Sequence, residues 1–259
     1  MKLLPLFILL GSLLFPANAD HLLLTRVVTQ PDAAESFSIY NPTDSPIELT
    51  DYFICDHKDY YKIAIYPDSI FSSKSSGFTA KFPPISIDSG DTLTIVLHEN
   101  YNTYYEEAFI PDLVMFESDE YSSMLETVFG SIGYGNNKIK KSSELIILFK
   151  WDGINGNLIE DIDYFLWGAY QSPINKTGIL TYQNDTPAAD QLYFEEEAAL
   201  YYAYSRIGTD EIGEIETGGN GITENDETSE NFRESWGISE ISIWDVLILT
   251  HPTMMGMQK

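Results

Sequence analysis

The feature that most constrains the fold is a pair of strand-like runs joined by a turn in the middle of the chain. The runs Glu144–Phe149 and Leu158–Phe165 are rich in leucine, isoleucine and aromatic residues, and the segment between them contains Asp152-Gly153 and Asn155-Gly156. Both dipeptides tolerate positive φ, which makes them typical of tight β-hairpin turns. The sequence therefore predicts an antiparallel hairpin in this region.

The same turn has a second interpretation as a calcium loop, because Asp152, Asn155 and Asn157 place oxygen ligands close together in the sequence. Their spacing departs from the EF-hand pattern, and the glutamate twelve positions along that an EF-hand requires is missing. A plain hairpin turn is therefore the favoured interpretation.

Other short strand-like runs occur along the chain, each bounded by glycine, proline, asparagine or aspartate. They cover Leu22–Val28, Glu35–Tyr40, Ile47–Leu49, Tyr52–Cys55 and Thr92–Leu97. Short strands with turns of this kind are typical of all-β sandwiches and barrels. Apolar residues make up 44% of the chain, which is enough for a substantial core. The segment Glu195–Tyr204 has a composition suited to a helix, but its tyrosines fit a strand equally well.

Residues 1–19 have the three parts of a secretory signal peptide. Lys2 gives a basic start, Leu3–Phe15 is a nearly uninterrupted apolar run, and Ala17-Asn18-Ala19 places small residues at a cleavage point. The apolar run is too short for a stable membrane span, so we expect no transmembrane segment after cleavage. A retained N-terminal anchor is the less favoured alternative. We expect the chain from Asp20 onward to be secreted to the extracellular space, the cell surface or the periplasm.

Charge and cysteine content exclude several classes of function. The chain has 40 Asp and Glu against 14 Lys and Arg, a formal net charge of -26 at pH 7. Such a surface repels phosphate backbones, which excludes nucleic acid as a partner, whereas it attracts cations. Cys55 is the single cysteine, so the chain has neither an internal disulfide nor a CxxC metal or redox motif.

The most acidic stretch, Ser205–Asn231, interleaves carboxylates with glycines. Glycines let a loop fold back so that oxygen atoms converge, as they do in calcium sites, which makes calcium the candidate cofactor. The candidate metal ligands are Asp226, Glu227, Glu230, Asn220 and Asn231. The alternative, which is favoured, is a structural loop in which Asx and Ser/Thr side chains cap their own backbone.

Several blocks of sequence follow one another in a recognisable order. They are Glu35–Thr43, Ile47–Tyr52, Ile87–Leu93, Asp161–Tyr164, Asp185–Gln191, Tyr204–Arg206, Gly218–Asn231 and Trp236. In order and chemistry these blocks resemble the lamin-tail domain as it occurs in exported bacterial proteins. The resemblance implies one domain over residues 20–236, an immunoglobulin-like antiparallel β-sandwich without catalytic machinery.

This chain departs from the plain lamin-tail domain in two respects. It has long polar loop insertions at Asp56–Gly77, His98–Ser142 and Gly168–Gln191, and its C-terminal tail, residues 237–259, does not resemble the family. We expect the tail to form an edge strand or short helix docked on the sandwich. A partner-binding or sorting tail is the alternative.

The lamin-tail domain of nuclear lamins is an interaction module, and bacterial members accompany secreted enzymes or stand nearly alone. The resemblance therefore implies an exported, non-catalytic binding or surface-structural module. Its expected partner is a protein or a component of the cell envelope.

Two other functions stay open. A secreted hydrolase could use loop carboxylates with His57 or His98, although zincin, nucleophile-elbow and P-loop motifs are absent and we expect no enzymatic activity. A carbohydrate-binding sandwich could use tyrosines in the predicted loops, whose other role would be to pack the insertions onto the sandwich. These tyrosines are Tyr60, Tyr61, Tyr101, Tyr104, Tyr105, Tyr121 and Tyr134.

Overall fold

The computed structural model describes residues 19–66, 77–105, 109–132, 139–168, 173–179 and 181–241. Within these ranges the chain forms short strands, a few 3₁₀ helices and one short α-helix, α1 (Phe232–Ser235). The 3₁₀ helices are Asp32–Ala34, Tyr60–Ala64, Tyr101–Thr103 and Glu227–Ser229. The strands are β1 (Leu23–Val28), β2 (Ser36–Tyr40), β3 (Ile47–Glu48), β4 (Tyr52–Cys55), β5 (Thr79–Lys81), β6 (Ser86–Ile87), β7 (Thr92–Val96), β8 (Leu113–Val114), β9 (Leu125–Glu126), β10 (Glu144–Lys150), β11 (Glu160–Trp167), β12 (Tyr202–Arg206) and β13 (Trp236–Glu240).

Two sheets account for most of these strands. The first has the order β13-β12-β1-β2-β7-β8, and the second has the order β11-β10-β4-β5-β9. Strands β3 and β6 form a separate antiparallel pair. Neighbouring strands in both sheets run antiparallel, except that β7 and β8 run parallel.

The two sheets pack face to face across an apolar core. Phe165 of β11 stacks on Trp236 of β13 with ring centroids 3.8 Å apart. Phe37 of β2 stacks on Phe78, which directly precedes β5, at 5.9 Å. Because each contact joins residues of opposite sheets, the predicted all-β fold, an immunoglobulin-like sandwich with long loop insertions, is confirmed.

The predicted central hairpin is formed by β10 and β11, which pair antiparallel along their length. Gly153 and Gly156 have φ of +78° and +93°, so the turn uses the positive φ that these glycines permit. The carboxylate of Asp152 accepts hydrogen bonds from the Ile154 amide at 2.8 Å and from Asn157 Nδ2 at 2.6 Å. The predicted hairpin is confirmed, and the Asp152 carboxylate is engaged in hydrogen bonds within its turn.

The other predicted strands correspond to β1, β2, β3, β4 and β7. In the ambiguous segment Glu195–Tyr204 no helix forms, and its last three residues begin β12 instead. The inward-facing Tyr204 is fully buried against Phe165 and Trp167, and this tertiary packing decides in favour of the strand.

The insertions predicted as polar loops contribute to the sandwich. Within His98–Ser142, β8 extends the first sheet and β9 extends the second. The loop tyrosines that are buried are Tyr60, Tyr61, Tyr101 and Tyr105. For these four residues the packing interpretation is confirmed, whereas Tyr104 keeps 41% of its surface exposed. Tyr121 is partly buried, and Tyr134 lies outside the described residues.

Both predicted terminal segments fall largely outside the described residues. Residues 1–18 of the predicted signal peptide and residues 242–259 of the predicted tail belong to this part of the chain. The first residues of the tail, through Glu240, complete the edge strand β13, which pairs with β12. None of the helices in the described ranges has the length and apolar character needed to cross a membrane.

Candidate functional site

Strand β11 carries two buried carboxylates on either side of a β-bulge. The register between β10 and β11 shifts between the pairs Leu148–Asp163 and Phe149–Asp161. Bulges redirect side chains locally. Asp161 contacts Lys176 and Asp163 contacts Arg206, so the two carboxylates belong to two different polar networks.

The first network, here called the Lys176 network, consists of Lys176, Asp161, Asp185 and Tyr60. Lys176 has no exposed side-chain surface, and its Nζ contacts Asp161, Asp185 Oδ1 at 3.3 Å and the Tyr60 hydroxyl at 2.9 Å. The Tyr60 hydroxyl donates to Asp161. Burial lowers the pKa of Lys176, but the nearby charges of Asp161 and Asp185 outweigh burial and raise it. The two aspartates therefore favour the protonated form of this buried lysine.

The second network begins with two ion pairs that share one arginine and are here together called the Arg206 pair. In them, Arg206 of β12 binds Asp163 and Glu230. Its Nη2 donates to both Asp163 oxygens at 2.7 and 2.9 Å, and Nη1 donates to Glu230 Oε1 at 2.7 Å. Nε donates to the Leu24 carbonyl at 2.9 Å, and the Leu24 amide donates to Asp163 at 2.5 Å. These bonds tie the first sheet to the second through the core.

Beside the Arg206 pair lies a cavity lined by His21, Glu211, Glu214 and Asn225, which together with the neighbouring Glu227 is here called the acidic pocket. The cavity has a volume of about 470 Å³ between the segments 19–21 and 211–216, and Glu227 lies buried next to it. Nε2 of His21 is 3.2 Å from Glu211 Oε2 and 4.0 Å from Glu227 Oε1. The other ring nitrogen, Nδ1, is 3.1 Å from the Leu22 carbonyl.

One amide group serves two carboxylates at this pocket. Nδ2 of Asn225 donates to Glu214 Oε1 at 2.8 Å and to Glu227 Oε1 at 2.7 Å. The remaining oxygens Oε1 of Glu211, Oε2 of Glu227 and Oδ1 of Asn225 are buried without a hydrogen-bond partner. Buried polar atoms are normally paired, so three unpaired oxygens around one pocket require an explanation.

The acidic pocket also shifts the pKa values of its members. Burial, and then the charges of Glu214 and Glu211, raise the pKa of Glu227 well above its usual value. Burial and the charge of Glu211 raise the pKa of Glu214 to about 9. Burial lowers the pKa of His21, but its hydrogen bond to Glu211 and the charge of Glu211 outweigh this and raise it to about 9. The pocket therefore holds on to positive charge and resists further negative charge.

The acidic pocket and the Arg206 pair share one region in which acidic side chains outnumber basic ones. Ligand atoms of His21, Glu211 and Glu227 lie within 4.8 Å of one another, and so do those of Asp163, Glu211 and Glu230. Glu211 belongs to both groups and thereby joins them. Two basic side chains, His21 and Arg206, face the five acidic side chains of Asp163, Glu211, Glu214, Glu227 and Glu230.

The structure distributes the candidate calcium ligands over different contacts. Asp226 Oδ1 accepts from Thr228 Oγ1 at 2.6 Å and from its amide at 3.1 Å, while Oδ2 accepts from Thr186. These bonds belong to the capped structural loop that was the favoured alternative. Glu230 is held by Arg206, whereas Glu227 lies at the acidic pocket.

The two asparagines of the predicted set also have protein partners. Asn220 Nδ2 donates to the Gln183 carbonyl at 3.0 Å and to Asp185 Oδ1 at 2.9 Å. Asn231 Nδ2 donates to Glu234 Oε1 at 2.9 Å. The predicted calcium site stays a prediction, and Glu227 is the member of its set that lies at the acidic pocket.

A second cleft, of about 570 Å³, lies where the β10–β11 turn meets the segments 181–183 and 219–221. Trp151 and Tyr182 line it, but only 6% and 9% of their surfaces are exposed. The Tyr182 hydroxyl accepts a hydrogen bond from the Ile159 amide. Little of either aromatic ring is therefore exposed, and polar side chains such as Asp51, Asp152 and Glu160 line the rest of the cleft.

The two loop histidines considered for a hydrolase lie apart from the acidic pocket. His98 Nε2 is 3.1 Å from Glu35 Oε2, and burial raises the pKa of Glu35 to about 7. The ring of His57 accepts a hydrogen bond from the Asp59 amide at 3.1 Å, and burial lowers the pKa of His57. His98 thus forms a pair with one carboxylate, in contrast to His21.

Comparison with known proteins supports the fold. The chain matches no family model and no curated protein. It is similar in structure to a DUF4876 family protein from Bacteroides thetaiotaomicron, with a TM-score of 0.51 and 12% sequence identity over 91% of this chain and 75% of that one. At this identity the likeness establishes a shared β fold and carries no functional information.

Proposed function

We propose that this protein is an exported, non-catalytic binding or surface-structural module of lamin-tail type. Its partner in this proposal is a protein or a component of the cell envelope. The β-sandwich supports the proposal, because Arg206 of β12 and Asp163 of β11 form an ion pair that joins the two sheets.

The observation that carries the proposal is an exposed aromatic pair. Tyr104 and Tyr201, from distant parts of the chain, have ring centroids 6.4 Å apart and are 41% and 51% exposed. The neighbours Leu200 and Tyr202 are 50% and 38% exposed. Exposed tyrosines offer a large, rigid contact area at a low cost in conformational entropy, which suits recognition of another molecule.

The proposal is tested by sedimenting the chain from Asp20 onward with cell envelopes of its own organism. We expect the wild-type chain to co-sediment and the double variant Tyr104→Ala, Tyr201→Ala to stay in the supernatant. Ile110→Ala is the matched control, because Ile110 is also apolar and is 70% exposed. Equal co-sedimentation of the double variant and the control would remove the tyrosine pair as the contact surface, and failure of the wild type would contradict the envelope partner.

A carbohydrate-binding module is the second candidate, favoured by the cleft that Trp151 and Tyr182 line beside Asp51 and Glu160. Sugars are bound by aromatic rings together with hydrogen-bonding side chains. Binding of soluble envelope glycans that is lost in Trp151→Ala and kept in the tyrosine double variant would select this function over the first.

A further inference from the structure

His21 is oriented as metal-binding histidines are. A carbonyl oxygen can only accept, so the hydrogen bond between Nδ1 and the Leu22 carbonyl assigns a proton to Nδ1. Nε2 is then the nitrogen that lies next to Glu211 and Glu227. A ligating histidine typically donates its other ring N–H to a carbonyl or carboxylate, which fixes the tautomer and the ring plane.

The distances around His21 Nε2 fit a small divalent ion. Ligands about 2.0–2.2 Å from a tetrahedral metal lie roughly 3.3–3.6 Å from each other. Nε2 is 3.2 Å from Glu211 Oε2 and 4.0 Å from Glu227 Oε1, and the three groups lie within 4.8 Å of one another.

Independent of this clustering, the carboxylates have unused oxygens. His21 Nε2 lies near Oε2 of Glu211 and Oε1 of Glu227, and the second oxygen of each carboxylate, Oε1 of Glu211 and Oε2 of Glu227, is buried without a hydrogen-bond partner. The two side chains are 8% and 0% exposed. A buried carboxylate oxygen without a donor costs free energy unless a cation binds it. The pocket is open to solvent along the segments 19–21 and 211–216, so an ion can enter.

We propose that the acidic pocket binds a divalent transition-metal ion of the Zn²⁺ class through Nε2 of His21 and the carboxylates of Glu211 and Glu227. Imidazole nitrogen together with carboxylate oxygen suits zinc, whereas calcium prefers oxygen ligands alone. Asn225 Nδ2 donates to both Glu214 and Glu227, so these two side chains lie next to each other. Glu214 is thereby placed to act as a further ligand or to hold a metal-bound water. This site shares only Glu227 with the calcium set predicted from the sequence, and it goes beyond the proposed binding function.

The proposal is tested by titrating chelator-treated protein with ZnCl₂, MnCl₂ and CaCl₂ in a calorimeter. The chain from Asp20 onward carries a two-residue extension before Asp20, which keeps the α-amino group away from the pocket, so that only side chains are tested. We expect one Zn²⁺ per chain, bound at least tenfold more tightly than Ca²⁺. Each of the variants His21→Gln and Glu211→Gln should weaken Zn²⁺ binding at least tenfold.

His98→Gln is the matched control, because His98 also faces a buried carboxylate, Glu35, but only one. Its Zn²⁺ affinity should equal that of the wild type. If a pocket variant fails to fold, the zinc X-ray absorption spectrum of the wild type decides, and it should show one imidazole among oxygen ligands. A folded wild type without Zn²⁺ binding, a spectrum without imidazole, tighter binding of Ca²⁺, or wild-type affinity in both pocket variants would overturn the proposal.

Discussion

The Lys176 network and the acidic pocket with its Arg206 pair start from the same strand but differ in charge balance. In the Lys176 network, one lysine and the Tyr60 hydroxyl serve two aspartates. Asp185 also accepts from the Lys176 amide at 2.5 Å and from Asn220 Nδ2 at 2.9 Å. The donors of the chain are thus sufficient for this network.

The acidic pocket and the Arg206 pair have a surplus of acceptors. Their carboxylates outnumber their cations, and Glu211 and Glu227 each keep a buried oxygen without a donor. The comparison teaches that burial alone does not identify a ligand site, because both networks are buried. A ligand site is distinguished from a structural network by whether the chain itself supplies enough hydrogen-bond donors for the buried carboxylates.

The largest effect is expected from removing Arg206, because the carboxylates around it outnumber the cations. Arg206→Met leaves Asp163 and Glu230 buried without their cation, next to further carboxylates. Breaking a buried ion pair costs about 3–5 kcal/mol, and the surplus of acids should place this variant at or above the top of that range. Urea unfolding at pH 8 without metal measures the loss. A smaller loss than that of the corresponding lysine variant would break the comparison.

That lysine variant, Lys176→Met, should cost about 3–5 kcal/mol in the free energy of unfolding, because Asp161 and Asp185 lose their shared cation. Lys141→Met is the matched control, since Lys141 is 61% exposed and lies 3.9 Å from Glu197. Surface changes of that kind are usually within about 0.5 kcal/mol. A similar loss in both variants, measured in urea, would show that burial of Lys176 has no special role.

Without metal, stability should fall as pH rises from about 5 to 9. Burial and neighbouring acidic groups raise the pKa of Glu214 to about 9 and that of Glu227 well above its usual value, so the folded state keeps protons that the unfolded state has already released. Each such group lowers the free energy of unfolding by up to about 1.4 kcal/mol per pH unit in this window.

Glu214→Gln cannot ionise and should flatten this fall, which separates the pocket from general charge repulsion in a chain of net charge -26. Thermal melts of both proteins from pH 5 to pH 9 provide the measurement. Parallel curves for the variant and the wild type would exclude Glu214 as a source of the pH dependence.

The smallest effect on the free energy of unfolding is expected from a change in the Lys176 network. Tyr60→Phe removes a hydroxyl that donates to Asp161 and accepts from Lys176, but it leaves the ion pair in place. We expect a loss of about 1–2 kcal/mol in urea unfolding, the usual consequence of deleting one partner of buried hydrogen bonds. A loss as large as that of Lys176→Met would mean that the hydroxyl, rather than the ion pair, holds this network together.

The β-sandwich could be predicted because its strongest signals are local. Asp152-Gly153 and Asn155-Gly156 fix a turn within a few residues, and the alternating apolar runs on either side need only pair with their neighbour. The same local reasoning indicated that the loop from Asp226 to Asn231 caps its own backbone, as its hydrogen bonds show.

The candidate site could be predicted only in part, because its members meet through tertiary packing. The sequence indicated the acidic stretch Ser205–Asn231 as a cation-attracting region. Glu227 belongs both to the calcium ligands predicted from the sequence and to the zinc ligands proposed from the structure. His21 enters the pocket from the other end of the chain, and no local pattern connects it to Glu211. Lys176 likewise lies in a segment predicted as a polar insertion, yet it is fully buried, which is rare for lysine.

The central claim is that a metal ion binds the carboxylates of the acidic pocket, for which the chain supplies too few hydrogen-bond donors. Anomalous diffraction tests this claim most directly. Crystals of the chain grown with ZnCl₂ would be measured on both sides of the zinc absorption edge. We expect an anomalous peak about 2.0–2.2 Å from His21 Nε2 and from oxygens of Glu211 and Glu227. A pocket without a peak, with zinc bound elsewhere and His21 still paired directly with Glu211, would contradict the account.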